Sequence, residues 1–198
     1  MTKERQTVTK RTEQSQQTKQ ALLTASLDLF VHQGYSGTTI RDIATRANVS
    51  PGLMFHYFAS KQAILQEHAI LVGDTMDRVG AMLSASSTPL ATFREIANLT
   101  LESFKQDFSR KLFLLANQIM SFDSIPKEAK AMVSPTQSIA LSLPLLKQGQ
   151  QNGEIKQGEP MALAVAFWGT LQGIAEILIW NPQAAIPTAE QVVSLLVP

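Results

Sequence analysis

Residues 38–61 read TTIRDIATRANVSPGLMFHYFASK, and this stretch decides the expected fold. Its first half carries apolar residues at helical spacing, which are Ile40, Ile43, Ala44 and Ala47. Thr39 precedes them and can cap a helix, and Asn48 follows them and tolerates the positive φ of a tight turn. Ser50 and Pro51 then suit the N-cap and first position of a second helix. The pattern predicts two short helices joined by a tight turn.

The second of these helices is unusually apolar for a surface helix. Met54 and Phe58, four residues apart, are expected to form its buried edge. Its other sides carry Gly52, Leu53, Phe55, His56 and Tyr57. One interpretation is a core helix with aromatic packing. The other is a helix presented to DNA, whose rings and imidazole reach sugar, phosphate or thymine methyl groups.

Residues 18–65 resemble the DNA-binding domain of TetR-family transcriptional regulators. The resemblance rests on Leu22, Ala25, Leu29, Phe30, Gly34 and Tyr35, and then on Thr38, Thr39, Ile40, Asp42, Ile43, Ala44, Val49, Ser50, Gly52, Met54, His56, Tyr57, Phe58 and Lys61. It implies a DNA-contacting set that comprises Thr39, Arg41, Ser50, Gly52, Leu53, Phe55, His56, Tyr57 and Lys61, with Lys61 on phosphate. Two positions depart from the family pattern. Phe55 stands where Tyr is common, and Pro51 replaces a residue that is often polar and contacts a base.

Charge divides the chain unevenly. Residues 1–61 hold eight Lys or Arg against four Asp or Glu, a net +4, and residues 62–198 hold nine against twelve, a net −3. This division indicates a nucleic-acid face attached to a second unit. We expect a flexible basic tail at 1–16, a DNA-binding domain at 17–61 with its motif at 39–58, and a ligand-binding and dimerisation domain at 62–198. The tail is expected either to stay solvated or to touch DNA. Its cationic residues are Lys3, Arg5, Lys10 and Arg11.

Helical periodicity and the absence of convincing strand alternation predict an all-α fold. The first helix is expected at 17–33, with Gly34 as its stop and with an apolar stripe that packs on the motif. A long helix from Ser60 to about residue 85 is expected to link the two parts. Pro135 and Pro144 are expected to kink or divide a later segment. The later helices are expected at 90–106, 109–122, 126–151, 160–180 and 188–197.

The C-terminal part is expected to pair with a second chain and to bind a signal. The helix at 160–180 is apolar on nearly every side, and its small residues permit another helix to come close. With the helix at 188–197, it is expected either to form a four-helix contact across a two-fold axis, as the resemblance implies, or to fill the chain's own core. The expected ligand residues, each of which is either ligand wall or plain core, are Phe104, Phe108, Phe113, Asn117, Met120, Trp168, Gln172 and Glu176. Because buried polar candidates are few, an apolar or amphipathic small molecule is expected.

No catalytic or metal site is predicted. The chain has no cysteine, and His32, His56 and His68 fall outside metal-ligand spacing. A phosphate-binding glycine loop, a nucleophile elbow and a zinc-protease helix are all missing from the sequence, so no cofactor is expected. The first twenty residues are polar and show no secretory signal, so a cytoplasmic location is expected.

The combined prediction is a homodimeric, non-enzymatic transcriptional repressor that binds double-stranded operator DNA and is released by a small, largely apolar effector. One alternative is an architectural or constitutive DNA-binding protein without a ligand, which would have little need for the long apolar body. The other is a DNA-acting enzyme, for which no metal-binding carboxylate cluster stands out.

Overall fold

Ten α-helices make up the described part of the chain, and no strand occurs within it. The computed structural model describes residues 3–133 and 135–198, with side chains for 12–133 and 138–198. The helices are α1 (Lys3–Gly37), α2 (Ile40–Arg46), α3 (Pro51–Tyr57), α4 (Lys61–Ala85), α5 (Pro89–Ser103), α6 (Asp107–Ser121), α7 (Lys127–Ala131), α8 (Pro135–Gln151), α9 (Pro160–Trp180) and α10 (Ala189–Val193). The predicted all-α class is confirmed.

Helix α1 begins well before the expected residue 17. Its backbone is helical from Lys3, fourteen residues before the expected start of the first helix. Once the packed part of a helix has formed, each further residue adds a hydrogen bond without a new nucleation cost. The side chains of the predicted DNA-contacting arm (Lys3, Arg5, Lys10 and Arg11) lie outside the described residues. The other end is as expected, because Gly34 leaves helical geometry with φ 75° and ψ 161°.

One hydrophobic core lies directly beneath the helix-turn-helix. The predicted packing is confirmed, since Leu22, Leu29 and Phe30 of α1 are buried together with Ile43, Met54 and Phe58 of the motif. The same core continues through Ile64 and Leu65 of α4 into the later helices, where it includes Leu115, Ala116, Ile119, Ile125, Ala129 and Val133. The motif packs on α1, which in turn packs on α4 and α6, so the expected boundary after residue 61 crosses a continuous core.

A second core joins α5, α6, α8, α9 and α10. Phe93 and Phe167 meet edge to face at its centre, with ring centroids 5.0 Å apart. The segment expected at 126–151 is divided into α7 and α8, and α8 begins at Pro135, a residue that favours the first turn. Pro144 stays inside α8. Helix α10 is shorter than expected and lies against α5.

Helix α9 has the predicted bounds and two different sides. Glu159 caps it by accepting from the Met161 N–H, and Pro160 occupies its first turn. By length and composition it is the one helix among the described residues that could cross a membrane. One side of α9 packs into the second core through Phe167, Leu171 and other apolar residues. The opposite side is exposed.

Candidate nucleic-acid interface and internal cavity

Helix α2 starts with a reciprocal cap. The Thr39 hydroxyl oxygen accepts from the Asp42 N–H at 3.2 Å, and the Asp42 carboxylate accepts from the Thr39 N–H at 2.8 Å and from the hydroxyl at 2.7 Å. The side-chain bond from Thr39, followed by the backbone bond, lowers the pKa of Asp42. The sequence identified Thr39 as the cap but missed Asp42, although Asp42 lies at the third helical position that a capping box uses. Arg41 is exposed beside this cap.

The turn between α2 and α3 has the predicted geometry. Asn48 has φ 55°, and the Val49 N–H donates to the Ala44 carbonyl at 2.9 Å. Ser50 then caps α3 by accepting from the Leu53 N–H at 3.1 Å, with Pro51 at the first position. These hydrogen bonds between neighbouring residues set where α3 begins, without help from tertiary contacts.

The outer side of α3 is exposed, so the interpretation of α3 as a buried core helix is wrong. Met54 is 0% exposed and holds the inner side, whereas Leu53 is 41% and Phe55 is 55% exposed. His56 is also exposed, and its ring meets the ring of half-buried Tyr57 at a centroid distance of 5.3 Å. A helix with buried anchors on one side and apolar groups on the other can present those groups to a partner.

Lys61 is placed differently from the prediction that it contacts phosphate. Its ammonium donates to the Tyr35 carbonyl at 2.7 Å and to the Thr38 carbonyl at 2.8 Å, and it lies 4.2 Å from the centroid of the Tyr35 ring. Burial lowers the pKa of Lys61. Two of its three donors are therefore committed to the loop that precedes α2. The arrangement makes Lys61 a residue that positions the motif.

A carboxylate joins the motif to the body of the protein. Asp28 of α1 pairs with Arg46 of α2 and with Lys111 of α6, whose Nζ lies 2.6 Å from Asp28 Oδ1. Lys111 also pairs with Asp107 at 2.7 Å. Burial disfavours the charge of Lys111, but its bonds to Asp107 and Asp28 outweigh this effect and raise its pKa. Sequence patterns gave no signal for the contacts of Asp28, because Arg46 and Lys111 lie far from it in the chain.

His68 fills a second junction between α1, α4 and α6. It is fully buried, and its ring centroid lies 6.1 Å from that of Phe30 and 6.3 Å from that of Phe108. Its Nε2 is 2.9 Å from the Ser26 hydroxyl oxygen. Burial lowers the pKa of His68 to about 4. The imidazole is therefore neutral at pH 7.

A cavity of about 430 Å³ lies in the body between α4, α5, α6, α8 and α9. Its wall carries hydroxyls, amides and apolar groups but, among the described side chains, no charged one. The lining residues are Thr75, Met76, Val79, Thr100, Phe113, Asn117, Met120, Ser121, Ser138, Ile139, Val165, Trp168, Gly169 and Gln172. An uncharged wall of this size suits an uncharged, largely apolar small molecule.

Five of the predicted ligand residues line this cavity: Phe113, Asn117, Met120, Trp168 and Gln172. Three do not. Phe104 is fully buried in the second core behind Phe113, and Phe108 packs against the first core near His68, so both are core residues. Helical spacing predicts that such rings are buried but not what they face. Glu176 lines a neighbouring cavity of about 500 Å³.

The polar groups of the cavity form short chains. The Asn117 amide donates to Gln172, and the Gln172 amide donates to Glu176 at 2.8 Å. Trp168 Nε1 donates to the Ser142 hydroxyl at 3.0 Å. The sequence missed the contribution of α4, which provides Thr75, Met76 and Val79. Across the described part of the chain, no group of three or more His, Asp or Glu is placed to hold a metal ion.

Comparison with known proteins identifies the same stretch. The family model for bacterial regulatory proteins of the tetR family matches residues 22–68. The HTH-type transcriptional regulator RutR of Escherichia coli (strain K12) is 28% identical over 166 residues, which cover 80% of this chain and 74% of that protein.

Solved structures extend the likeness to the body. The MbdR regulator from Azoarcus sp. CIB is 26% identical with a TM-score of 0.68, and the match covers 90% of this chain and 97% of that one. The transcriptional regulator FadR from Bacillus subtilis, solved in complex with stearoyl-CoA, shares the fold at 18% identity with a TM-score of 0.62, over 90% of this chain and 97% of that one.

These matches agree with the exposed, doubly capped motif and with the helical body behind it. The relatives are transcriptional regulators rather than enzymes, so the predictions of a DNA-binding regulator and of a non-enzymatic protein are confirmed. The family model spans the whole helix-turn-helix and parts of the helices on both sides. Residues 22–68 of this chain match the tetR family of bacterial regulatory proteins, and the chain as a whole is similar to known transcriptional regulators.

Proposed function

We propose that this protein is a homodimeric repressor that binds operator DNA through α3 and leaves it when a small, largely apolar molecule fills the cavity of the body. The observation that carries the proposal is the outer side of α3, where Leu53 and Phe55 stay exposed while Met54 anchors the helix in the core. Exposed apolar groups cost free energy in water, so their presentation on a rigidly capped helix indicates a partner surface. A cytoplasmic location follows from this task, since the operator lies on the chromosome.

The proposed DNA face consists of the exposed groups around the turn. Arg41 at the start of α2 is placed for phosphate or a base edge, and the outer side of α3 enters the major groove. Lys61 supports this face through the two carbonyls that it holds. The proposed contact residues are Thr39, Arg41, Ser50, Gly52, Leu53, Phe55, His56 and Tyr57.

Replacing Arg41 with Ala should weaken binding to all sequences and lower the slope of log affinity against log salt by about one. Lys156→Ala is the matched control, because it removes one cation from the body of the protein, beside Leu196 of the second core, to whose carbonyl the Lys156 N–H donates. Equal salt slopes for the wild type and Arg41→Ala would remove Arg41 from the face.

The proposed dimer forms through the exposed side of α9. Val165, Ile177 and Trp180 are 52%, 43% and 73% exposed there. Gly169 and Gly173 lie on the same side, and a Cβ built on either would meet nothing within 4 Å. A second copy of α9 can therefore approach closely at these glycines.

Helix α10, predicted either to join this contact or to fill the chain's own core, is left out of the proposed contact. Its Val192 and Val193, together with Leu196, are buried in the chain's own second core. We expect light scattering to give a particle mass of twice the 21.7 kDa of one chain. The variant Gly173→Arg should give the mass of a single chain. A wild-type particle of single-chain mass at micromolar concentration would contradict the dimer.

The proposed effector acts through α4. This helix lines the cavity with Thr75, Met76 and Val79, and its first turn follows α3 directly. A ligand that displaces α4 would change the distance between the α3 helices of the two copies, so that they no longer match two adjacent major grooves. Affinities for ligand and for DNA must then oppose each other by the same factor. The uncharged cavity wall supports an apolar effector.

The test begins with selection of bound duplexes by the full chain from a random DNA pool. Cell metabolites are then screened for release of the selected duplex. We expect uncharged or largely apolar compounds to release it, and a screen in which only highly charged compounds do so would overturn the proposed ligand class.

Two matched substitutions on α4 locate the ligand. Val79→Trp fills the cavity, whereas Ala81→Trp adds the same side chain at an exposed position. Val79→Trp should still bind DNA but resist release, and Ala81→Trp should behave like the wild type. Equal release of both variants would place the effector elsewhere.

A further inference from the structure

The recognition helix lacks the side chains that most often read bases by paired hydrogen bonds. Residues 51–57 read PGLMFHY, without Arg, Lys, Asn, Gln, Asp or Glu. Arg or Lys reads guanine and Asn or Gln reads adenine through two bonds in the major groove. The helix therefore has to recognise its site by other chemistry.

The structure shows which groups are available for this. Met54 points into the core, and successive helical residues turn by about 100°. Gly52 and His56 consequently lie on the side opposite Met54. Phe55 and Leu53 flank them on either side, with more than two fifths of each side chain exposed. The outer side of α3 is thus one imidazole bordered by two apolar groups.

We infer that α3 reads its operator chiefly through thymine methyl groups, which Phe55 and Leu53 contact, with His56 as the single hydrogen-bonding reader. The 5-methyl group of thymine is the one apolar feature that the major groove displays. It is the feature that an aromatic ring and an isobutyl group can bury. This inference rests on the proposed DNA face of α3 and adds the chemistry of the bases that it selects.

The test uses two forms of the duplex that the full chain selects from a random pool. In the second form, deoxyuridine replaces thymidine at one half-site position at a time, which removes the methyl group and leaves every hydrogen-bonding atom in place. Burying one methyl group is worth about a fourfold change in affinity. We expect at least one position in each half-site to lose affinity by about this factor on replacement.

Variants connect the effect to the side chains. Phe55→Ala and Leu53→Ala, both at exposed positions, should each lose the preference for thymidine over deoxyuridine at the position that the residue contacts. Arg41→Ala is the control, because it should weaken binding to both duplexes equally and keep the preference.

The inference is overturned if deoxyuridine is tolerated at every position of a duplex that the protein selects strongly. It is also overturned if both alanine variants keep the wild-type preference. Failure to enrich any sequence from the pool is a different outcome, since it would overturn the proposed operator binding as well.

Discussion

Acidification is expected to destabilise this protein through one side chain, His68. The Ser26 hydroxyl donates to the Leu23 carbonyl at 2.9 Å, so its oxygen accepts from the Nε2–H of His68. His68 Nδ1 has no hydrogen-bond partner among the described atoms, and the ring lies between Phe30 and Phe108. A proton on Nδ1 would create a buried donor and a buried positive charge without a partner, which folded proteins avoid.

The size of the effect follows from the pKa of His68, which burial lowers from 6.5 to about 4. Between these values the unfolded chain binds more protons than the folded one, so stability is present above pH 6.5 and is lost as the pH falls toward 4. The complete loss corresponds to about 3 kcal/mol, and about 2 kcal/mol of it occurs between about pH 7.5 and about pH 5.

The free energy of unfolding at each pH is measured by urea unfolding followed by circular dichroism. The protein concentration is kept fixed, because the stability of a dimer depends on concentration. His68→Met is the comparison, since it keeps an apolar side chain at the site and cannot titrate. Between about pH 7.5 and about pH 5 the wild type should lose about 2 kcal/mol more than the variant. The other ionisable groups are the same in both proteins, so their contributions cancel in the comparison. An identical pH dependence of the two would refute the assigned environment of His68.

Three further predictions concern residues that hold the motif in place. Lys61→Met should lower the unfolding free energy by about 2–3 kcal/mol, because it leaves two carbonyls without their charged donor, and an unchanged urea midpoint would contradict the bonds described. Asn48→Ala should lower the free energy of unfolding by about 1 kcal/mol, because Ala is disfavoured at the φ of 55° that this turn requires, whereas Asn48→Gly should lower it by less. The reverse order would contradict the turn geometry. Asp28→Asn should lower the free energy of unfolding by about 2 kcal/mol and weaken operator binding. Glu102→Gln, in an exposed ion pair, should lower it by less than about 0.5 kcal/mol. Equal losses of stability would contradict the structural role of the Asp28 cluster.

The sequence predicted the parts of the motif that depend on neighbouring residues. Thr39, Ser50 and Pro51 bond or fit within three or four residues of themselves, so their roles follow from residue type and order. The positive φ of Asn48 follows in the same way from the tight turn. The bounds of α9 were also predictable, because Pro160 and the Asn181-Pro182 pair delimit it.

Other features required the folded chain. Lys61 was expected at phosphate because it follows α3, but its ammonium meets carbonyls 23 and 26 residues earlier in the chain. The contact of Lys111 with Asp28 spans 83 residues. Phe104 and Phe108 have the periodicity of buried rings, and only the packing of α6 shows that the cavity lies beside Phe113 instead. The spacing of apolar residues in the sequence predicts that a side chain is buried. Which residues it contacts depends on how the helices pack against each other.

The account as a whole depends on two copies of α3 in adjacent major grooves. The most direct measurement is the affinity of the full chain for its selected operator when the distance between the half-sites is increased by about five base pairs, half a turn of the duplex. The second half-site then faces away from the dimer. We predict that affinity falls to that of a duplex with one half-site. An insertion of about ten base pairs turns the second half-site back toward the dimer but leaves it about one turn further away along the duplex. Unchanged affinity with the half-turn insertion would contradict the account.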